Sequence, residues 1–209
     1  MGRQVGGPNG LIIGKVGSII GSSRNGIPYV KGPYEKRTSK VSAKELANRK
    51  KFAAAQAWLK PLLDIVREGF RGYSQRSYGF SAAKSWLLKN AFVKHGDELR
   101  IDPALVKVSS GDLSNPENME VSVIESRALK FTWTPEKTGK NSSDQIMMLA
   151  YNVEEHLATY KTTGQFRSAG EDTLVLKRSK GKKFHVYAAF IASDRSRQSE
   201  SVYLGEWQM

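Results

Sequence analysis

Residues Ala128–Glu136 read ALKFTWTPE, and their alternation decides the fold class of the second half of the chain. Leu129, Phe131 and Trp133 fall on one side of an extended backbone, with Lys130 and Thr132 on the other, because strand side chains alternate with a period of two. The apolar side is expected to face a core. Outward from this segment, after Asp97, short runs separated by turn residues recur: KVSS at Lys107–Ser110, MEVSVIES at Met119–Ser126, IMMLAYN at Ile146–Asn152, LATYK at Leu157–Lys161, TLVLK at Thr173–Lys177, FHVYAAFIAS at Phe184–Ser193 and SVYLGEW at Ser201–Trp207. About seven or eight short strands at this spacing predict an antiparallel β-sandwich over residues 97–209.

The preceding stretch, residues 41–96, has a helical texture. Ser42-Ala43-Lys44-Glu45 is a capping box and opens a run to about Phe70 that is rich in Ala, Leu, Lys and Arg. Phe52, Ala55, Leu59, Leu62, Val66 and Phe70 recur at three- and four-residue steps and predict one apolar stripe. Pro61 removes a backbone donor and is expected to kink or split the helix. A second helix is expected from Ser81 as N-cap to about Phe92, with Trp86, Leu87 and Ala91 inward. The loop between them, Gly69–Phe80, interleaves Phe70, Tyr73, Tyr78 and Phe80 with Arg71 and Arg76.

Residues 1–40 form a compositionally separate arm, with nine of the chain's 19 glycines in residues 1–32. In GLIIGKVGSIIG, Gly10–Gly21, a Gly-x-Ile-Ile-Gly unit occurs twice. Asn25-Gly26 between SIIGSSR and IPYVK is a strong hairpin signal, so the arm reads as a glycine-rich β-hairpin. Its strands cannot bury both faces alone, and Ile12, Ile13, Ile19, Ile20 and Tyr29 are expected to dock on the rest of the chain or on another subunit. The fold class is therefore α+β: arm 1–40, basic helical region 41–96 and sandwich 97–209.

The formal charge of +13 is unevenly divided. Residues 1–95 hold 18 Lys/Arg against 4 Asp/Glu, net +14, whereas residues 96–209 hold 15 against 16, net −1. Such asymmetry points to an anionic surface met by the N-terminal half. Three basic and aromatic clusters carry it: Tyr29, Lys31, Tyr34, Lys36, Arg37 and Lys40; then Arg49, Lys50 and Lys51; then Arg71, Tyr73, Arg76 and Tyr78. Lys31, Lys36, Arg37, Arg49, Lys50, Lys51, Arg71 and Arg76 are the expected polyanion-binding residues, since lysine and arginine neutralise phosphates while tyrosines stack on bases.

The second half resembles a fibronectin type III or related immunoglobulin-like module. The resemblance is carried by Trp133 in an early strand, Leu174-x-Leu176, a glycine turn at Gly181, the strand Phe184–Phe190 and the last strand from Ser199 through Tyr203. In such modules a tyrosine forms a corner after a leucine and glycine; Phe184, without a hydroxyl, holds that place here. The whole chain also resembles a family of short, basic, uncharacterised proteins found mainly in Bacteroidetes. The shared pattern is GKVG at Gly14–Gly17, the segment Gly26–Val30, a basic helix, F-x-G-Y at Phe70–Tyr73 and SVYLGE at Ser201–Glu206. That family brings no activity with it.

Several chemistries fail on their own requirements. There are no cysteines, which removes disulfides, thiol catalysis and thiolate metal sites. NGLIIGKV at Asn9–Val16 lacks the first glycine and the final hydroxyl of a phosphate loop. His95, His156 and His185 lie at no metal-ligand spacing, and no Gly-x-Ser-x-Gly occurs. Glu154-Glu155 and Glu171-Asp172 read as solvated turn charges. No cofactor, metal or catalytic residue is expected. Leu11–Ile20 is about half the length needed to cross a bilayer, with Lys15 in its middle. No signal peptide is recognised, because lysine and glycines interrupt the apolar run, and Gly6 replaces the Ser or Thr of a myristoylation signal.

The expectation from these readings is a non-enzymatic structural or assembly protein, cytoplasmic or within an assembled particle, with protein partners or copies of itself. A phage-like particle, a nucleoprotein and an envelope array all fit, the first favoured by analogy. The alternatives are a sequence-nonspecific nucleic-acid-binding protein and a secreted adhesive or carbohydrate-binding module.

Overall fold

The structure, a computed structural model, describes residues 2–7, 10–24, 26–73, 78–96, 98–125, 127–177 and 180–209. The chain divides into two units, Met1–Ala43 and Lys44–Met209.

In the first unit, β1 (Arg3–Val5), β2 (Leu11–Val16), β3 (Ile19–Arg24) and β4 (Ile27–Lys31) pair antiparallel in chain order. The expected hairpin is thus β3–β4, with Gly26 at φ +78°; Asn25 lies outside the described residues. The meander goes beyond it because the two Gly-x-Ile-Ile-Gly units form a second hairpin. Gly17 supplies the left-handed conformation, φ +58°, in the two-residue turn between β2 and β3. At Gly14, φ +94°, β2 changes partner: Leu11–Ile13 pair with β1 and Gly14–Val16 with β3. Gly21, opposite Gly14, is a point of close backbone approach, since a Cβ there would lie 2.0 Å from the Ile12 carbonyl oxygen.

In the second unit the capping-box helix is α1 (Ala43–Leu59), followed by a 3₁₀ turn at Lys60–Leu62 and α2 (Leu63–Gly69). Pro61 sits in that 3₁₀ turn and splits the helix, as its missing N–H requires. Ala55, Leu59, Leu62, Val66 and Phe70 are fully buried. Phe52, expected in the same stripe, is half exposed instead, because no residue of α1 before Ala55 is buried. The next helix, α3 (Gly79–Asn90), begins two residues before the expected Ser81 and takes no side-chain cap from Tyr78. It ends before Phe92, which opens a small hairpin, β5 (Phe92–His95) and β6 (Glu98–Ile101).

The strands that follow are β7 (Glu120–Glu125), β8 (Ala128–Thr132), β9 (Gln145–Asn152), β10 (Leu157–Lys161), β11 (Glu171–Val175), β12 (Lys183–Ile191) and β13 (Val202–Gln208). They form two antiparallel sheets, ordered β11-β8-β7 and β10-β9-β12-β13, the arrangement of a fibronectin III-like sandwich. The mixed α+β architecture is thus an N-terminal strand sheet, helices and C-terminal antiparallel sheets. KVSS is no strand: Ser110 N–H donates to the Gly69 carbonyl, Ser201 N–H to the Ser109 carbonyl and Val108 N–H to Ser201 Oγ. This segment therefore ties the end of α2 to the start of β13.

Alternation in β8 works as expected, with Leu129 and Phe131 buried and Lys130 and Thr132 only partly so. Together with Trp133, Leu174, Ile146, Met148, Val186 and Phe190 they fill the space between the sheets. The other face of the four-stranded sheet is also covered. Leu149, Tyr151 and Tyr187 share a second core with Trp58, Leu59, Leu62, Ile65, Val66 and Leu87 from the helices. Trp58 meets Tyr151 edge-on at 4.9 Å, Tyr187 donates to the Pro103 carbonyl at 2.7 Å, and Tyr160 donates to Asp64 Oδ2 at 2.9 Å. Helices, four-stranded sheet and three-stranded sheet make three layers in this unit, and the central sheet is apolar on both faces.

At one end of the sandwich Arg167, 1% exposed, lies over the Phe190 ring. It faces Asp144 Oδ2 at 3.4 Å and Glu136 Oε2 at 3.5 Å, and donates to the Ser114 carbonyl. Its own carbonyl accepts from Trp133 Nε1 at 2.8 Å. Burial raises the Asp144 carboxyl above its ordinary value more strongly than Arg167 draws it down.

Candidate functional site

The N-terminal sheet presents two unlike faces. Paired residues of neighbouring strands share a face, so the β2–β3–β4 ladder can be read directly from its register. Lys15, Ile20 and Lys31 form one row, Ser22 and Tyr29 the next, and Arg24 and Ile27 the last. The opposite face carries Gly14, Gly21 and Val30, then Val16 with Ile19, and Ser23 with Pro28. All three cations of these strand segments thus lie on one face, and the other has no charge.

Neither face encloses a core. Among the described residues of the first unit only Gly21 is buried, while Val16, Ile27, Tyr29 and Val30 are 44%, 56%, 42% and 58% exposed. The five residues expected to form the docking arm separate accordingly. Ile20 and Tyr29 belong to the cationic face and Ile19 to the uncharged one. Ile12 lies against Gly21, and Ile13, 38% exposed, pairs with Arg3. The edges are better protected than the faces: β1 is three residues long, and β4 contains Pro28 and Lys31.

The expected polyanion-binding residues are distributed over both units. Lys31 ends β4, and exposed Lys36 and Arg37 follow it, with Arg37 Nε donating to Ser39 Oγ at 2.8 Å. In the second unit Arg49 is held by Glu45 at 2.7 Å, and Arg71 by both carboxylate oxygens of Glu68 at 2.7 and 2.8 Å. Lys51 lies over the Phe92 ring at 4.8 Å, whereas Lys50 is exposed on α1. Arg76 lies outside the described residues. Residues 44–96 hold 11 Lys/Arg against 3 Asp/Glu, and all three acids are engaged, Asp64 with Arg67 at 3.9 Å.

The third cluster of the sequence is partly assembled. Arg71 and Tyr78 line a cavity of ≈ 610 Å³ with Arg67, Leu63 and Phe80, between α2 and the start of α3. Gly79 permits this close crossing, since a Cβ there would lie 2.8 Å from the Arg67 carbonyl oxygen. Arg67 lies in α2 and Arg71 just beyond its end, and the turn after Gly69 brings both to this cavity.

His185 on β12 accepts or donates a 2.9 Å hydrogen bond through Nδ1 to Tyr203 Oη, and Nε2 stands 3.8 Å from Glu206 Oε2. Burial lowers its pKa from 6.5, opposed by the charges of Glu206 and Asp102 and assisted by Lys183. The arrangement is that of a hydrogen-bonded strand histidine. No helix among the described residues is long and apolar enough to cross a membrane.

No curated protein matches the chain. Among solved structures, the fn3 domain of the human collagen alpha-1(XX) chain is similar at 20% identity, covering 46% of this chain and 84% of that one, with a TM-score of 0.34. The profile of the family of unknown function DUF6266 matches residues 11–205, from the start of β2 into β13, and the chain belongs to that family.

Proposed function

We propose that this protein is a non-enzymatic structural or assembly protein, anchored in a larger complex through its basic N-terminal half while the sandwich is displayed. One observation carries the reading: a sheet built from isoleucine, valine and tyrosine in which only Gly21 is buried. Fixing each strand residue costs about 1–2 kcal/mol of backbone entropy, and small sheets without a packed face are marginal in water. The sheet therefore needs a surface to rest on, and its uncharged face, with Val16, Ile19 and Val30, is suited to protein. Each such side chain contributes about 1.5–3 kcal/mol when fully covered. A second copy presenting the same face is the simplest partner. The likeness to short basic proteins of Bacteroidetes belongs to the same proposal, since the basicity resides in the half that anchors.

Residues 44–209 contain the buried cores, so a chain lacking residues 1–40 retains its fold. Light scattering after size exclusion compares the two forms at low and high salt. The expected result is salt-insensitive assembly of the full chain and a monomeric truncated form. Two monodisperse monomers of equal thermal stability contradict self-assembly as the mode of anchoring.

A further inference from the structure

The uncharged face of the N-terminal sheet accounts for protein contact and leaves the opposite face without an assigned role. That face is chemically distinct. Lys15 and Lys31 flank Ile20 in one row, two strand spacings or about 10 Å apart. Arg24 stands two rows away on β3, beyond Ser22. Between these cations lies Tyr29, 42% exposed, whose cross-strand neighbour is the small Ser22. No acid occurs in the strands, and in residues 1–43 the balance is seven Lys/Arg to one acid, Glu35.

Charge decides what can rest there. A second copy presenting the same face would set three cations against three. Its remaining residues offer no compensating surplus of acid, because the excess of the whole chain is +13. An added strand is also disfavoured, since Pro28 and Lys31 occupy the β4 edge and β1 is short. A flexible polyanion carrying flat apolar groups satisfies all parts of the surface at once. Its phosphates meet Lys15, Arg24 and Lys31 while a base stacks on Tyr29, as on other sheet platforms for single strands.

We infer that the Lys15, Arg24, Tyr29 and Lys31 face of the sheet binds single-stranded nucleic acid without sequence preference. This deepens the assembly reading by naming the partner of the second face, and it rests on that reading only for a sheet held in order by contact through the first. The complex it implies is a nucleoprotein.

The test is fluorescence anisotropy of the full chain with a labelled oligothymidylate of about 20 nucleotides, longer than the roughly 4–16 nucleotides a small β-fold covers. Each phosphate neutralised on a single strand contributes about 0.7 to the slope of log affinity against log salt. The combined variant Lys15→Gln, Arg24→Gln, Lys31→Gln should therefore flatten that slope by about 2, and Tyr29→Ala should weaken binding about ten-fold at every salt concentration. Hydrogen exchange of the β2–β4 amides verifies that each variant keeps the sheet. Val30→Ser, on the uncharged face, should reduce light scattering of the unliganded chain and weaken oligonucleotide binding with it, whereas the triple variant should flatten the salt slope with assembly intact, which separates failure of the assembly reading from failure of this one. An unchanged slope in the triple variant overturns the proposal. Equal or tighter binding of polyglutamate of the same charge also overturns it and assigns the face to acidic protein; a preference for duplex DNA overturns the single-strand assignment.

Discussion

Gly21 shows how much of the N-terminal sheet depends on one missing methyl group. Its built Cβ would lie 2.0 Å from the Ile12 carbonyl oxygen, a backbone atom that cannot swing aside. In the assembled protein Gly21→Ala should open β2 away from β3, abolishing the amide protection that β1–β4 gain there, while the thermal midpoint of the helical and sandwich unit stays unchanged; retained protection contradicts the close approach. His185 gives a pH test at the same scale. Its folded pKa is lowered by burial, so the unfolded chain binds more protons between the folded value and 6.5. The contribution to stability is fully present above pH 6.5 and is lost as pH falls through the folded value. Urea midpoints measured downward from about pH 7.5 should decline, with a shallower decline in His185→Gln. Equal pH slopes in the two proteins would remove the histidine from the explanation.

Among the elements, the sandwich strands were the most legible, because period-two alternation in LKFTW and the turns between runs report local geometry directly. The unbroken apolar runs IMMLAYN and FHVYAAFI carried more than alternation does. A strand apolar at every position is covered on both sides, and the helices supply that second cover. Residues 41–96 and 97–209 are consecutive in sequence but stacked in space, and local pattern does not say which layer rests on which. The hairpin β5–β6 also has a signal, Gly96-Asp97 between FVKH and ELRI, although the helix expected to Phe92 overlaps its first strand. The buried Arg167 had none, because its cover comes from residues distant in sequence. Arg167→Met should cost about 3–5 kcal/mol by leaving Asp144 buried and unpaired. Adding Asp144→Asn should recover part of that loss in chemical denaturation, and strictly additive losses would show that the two do not interact.

For the whole molecule, composition locates the charge and the glycine-rich arm, but it does not sort the residues within them by face. The eight cations expected to meet a polyanion are those dense in the sequence, yet Arg49 and Arg71 are held by the nearby carboxylates of Glu45 and Glu68. Lys15 and Arg24 are isolated in sequence, and only strand register brings them to the face of Tyr29 and Lys31. Two faces of opposite character on one uncored sheet thus underlie the proposed link between docking on protein and capture of a polyanion. Hydrogen exchange of the full chain, compared between dilute monomer and assembled protein, measures this dependence most directly. Amides of β2–β4 should exchange rapidly in the monomer and become protected on assembly, while those of β9 and β12 stay protected in both. Equal protection of β2–β4 in the dilute monomer would show a self-sufficient sheet and contradict the account.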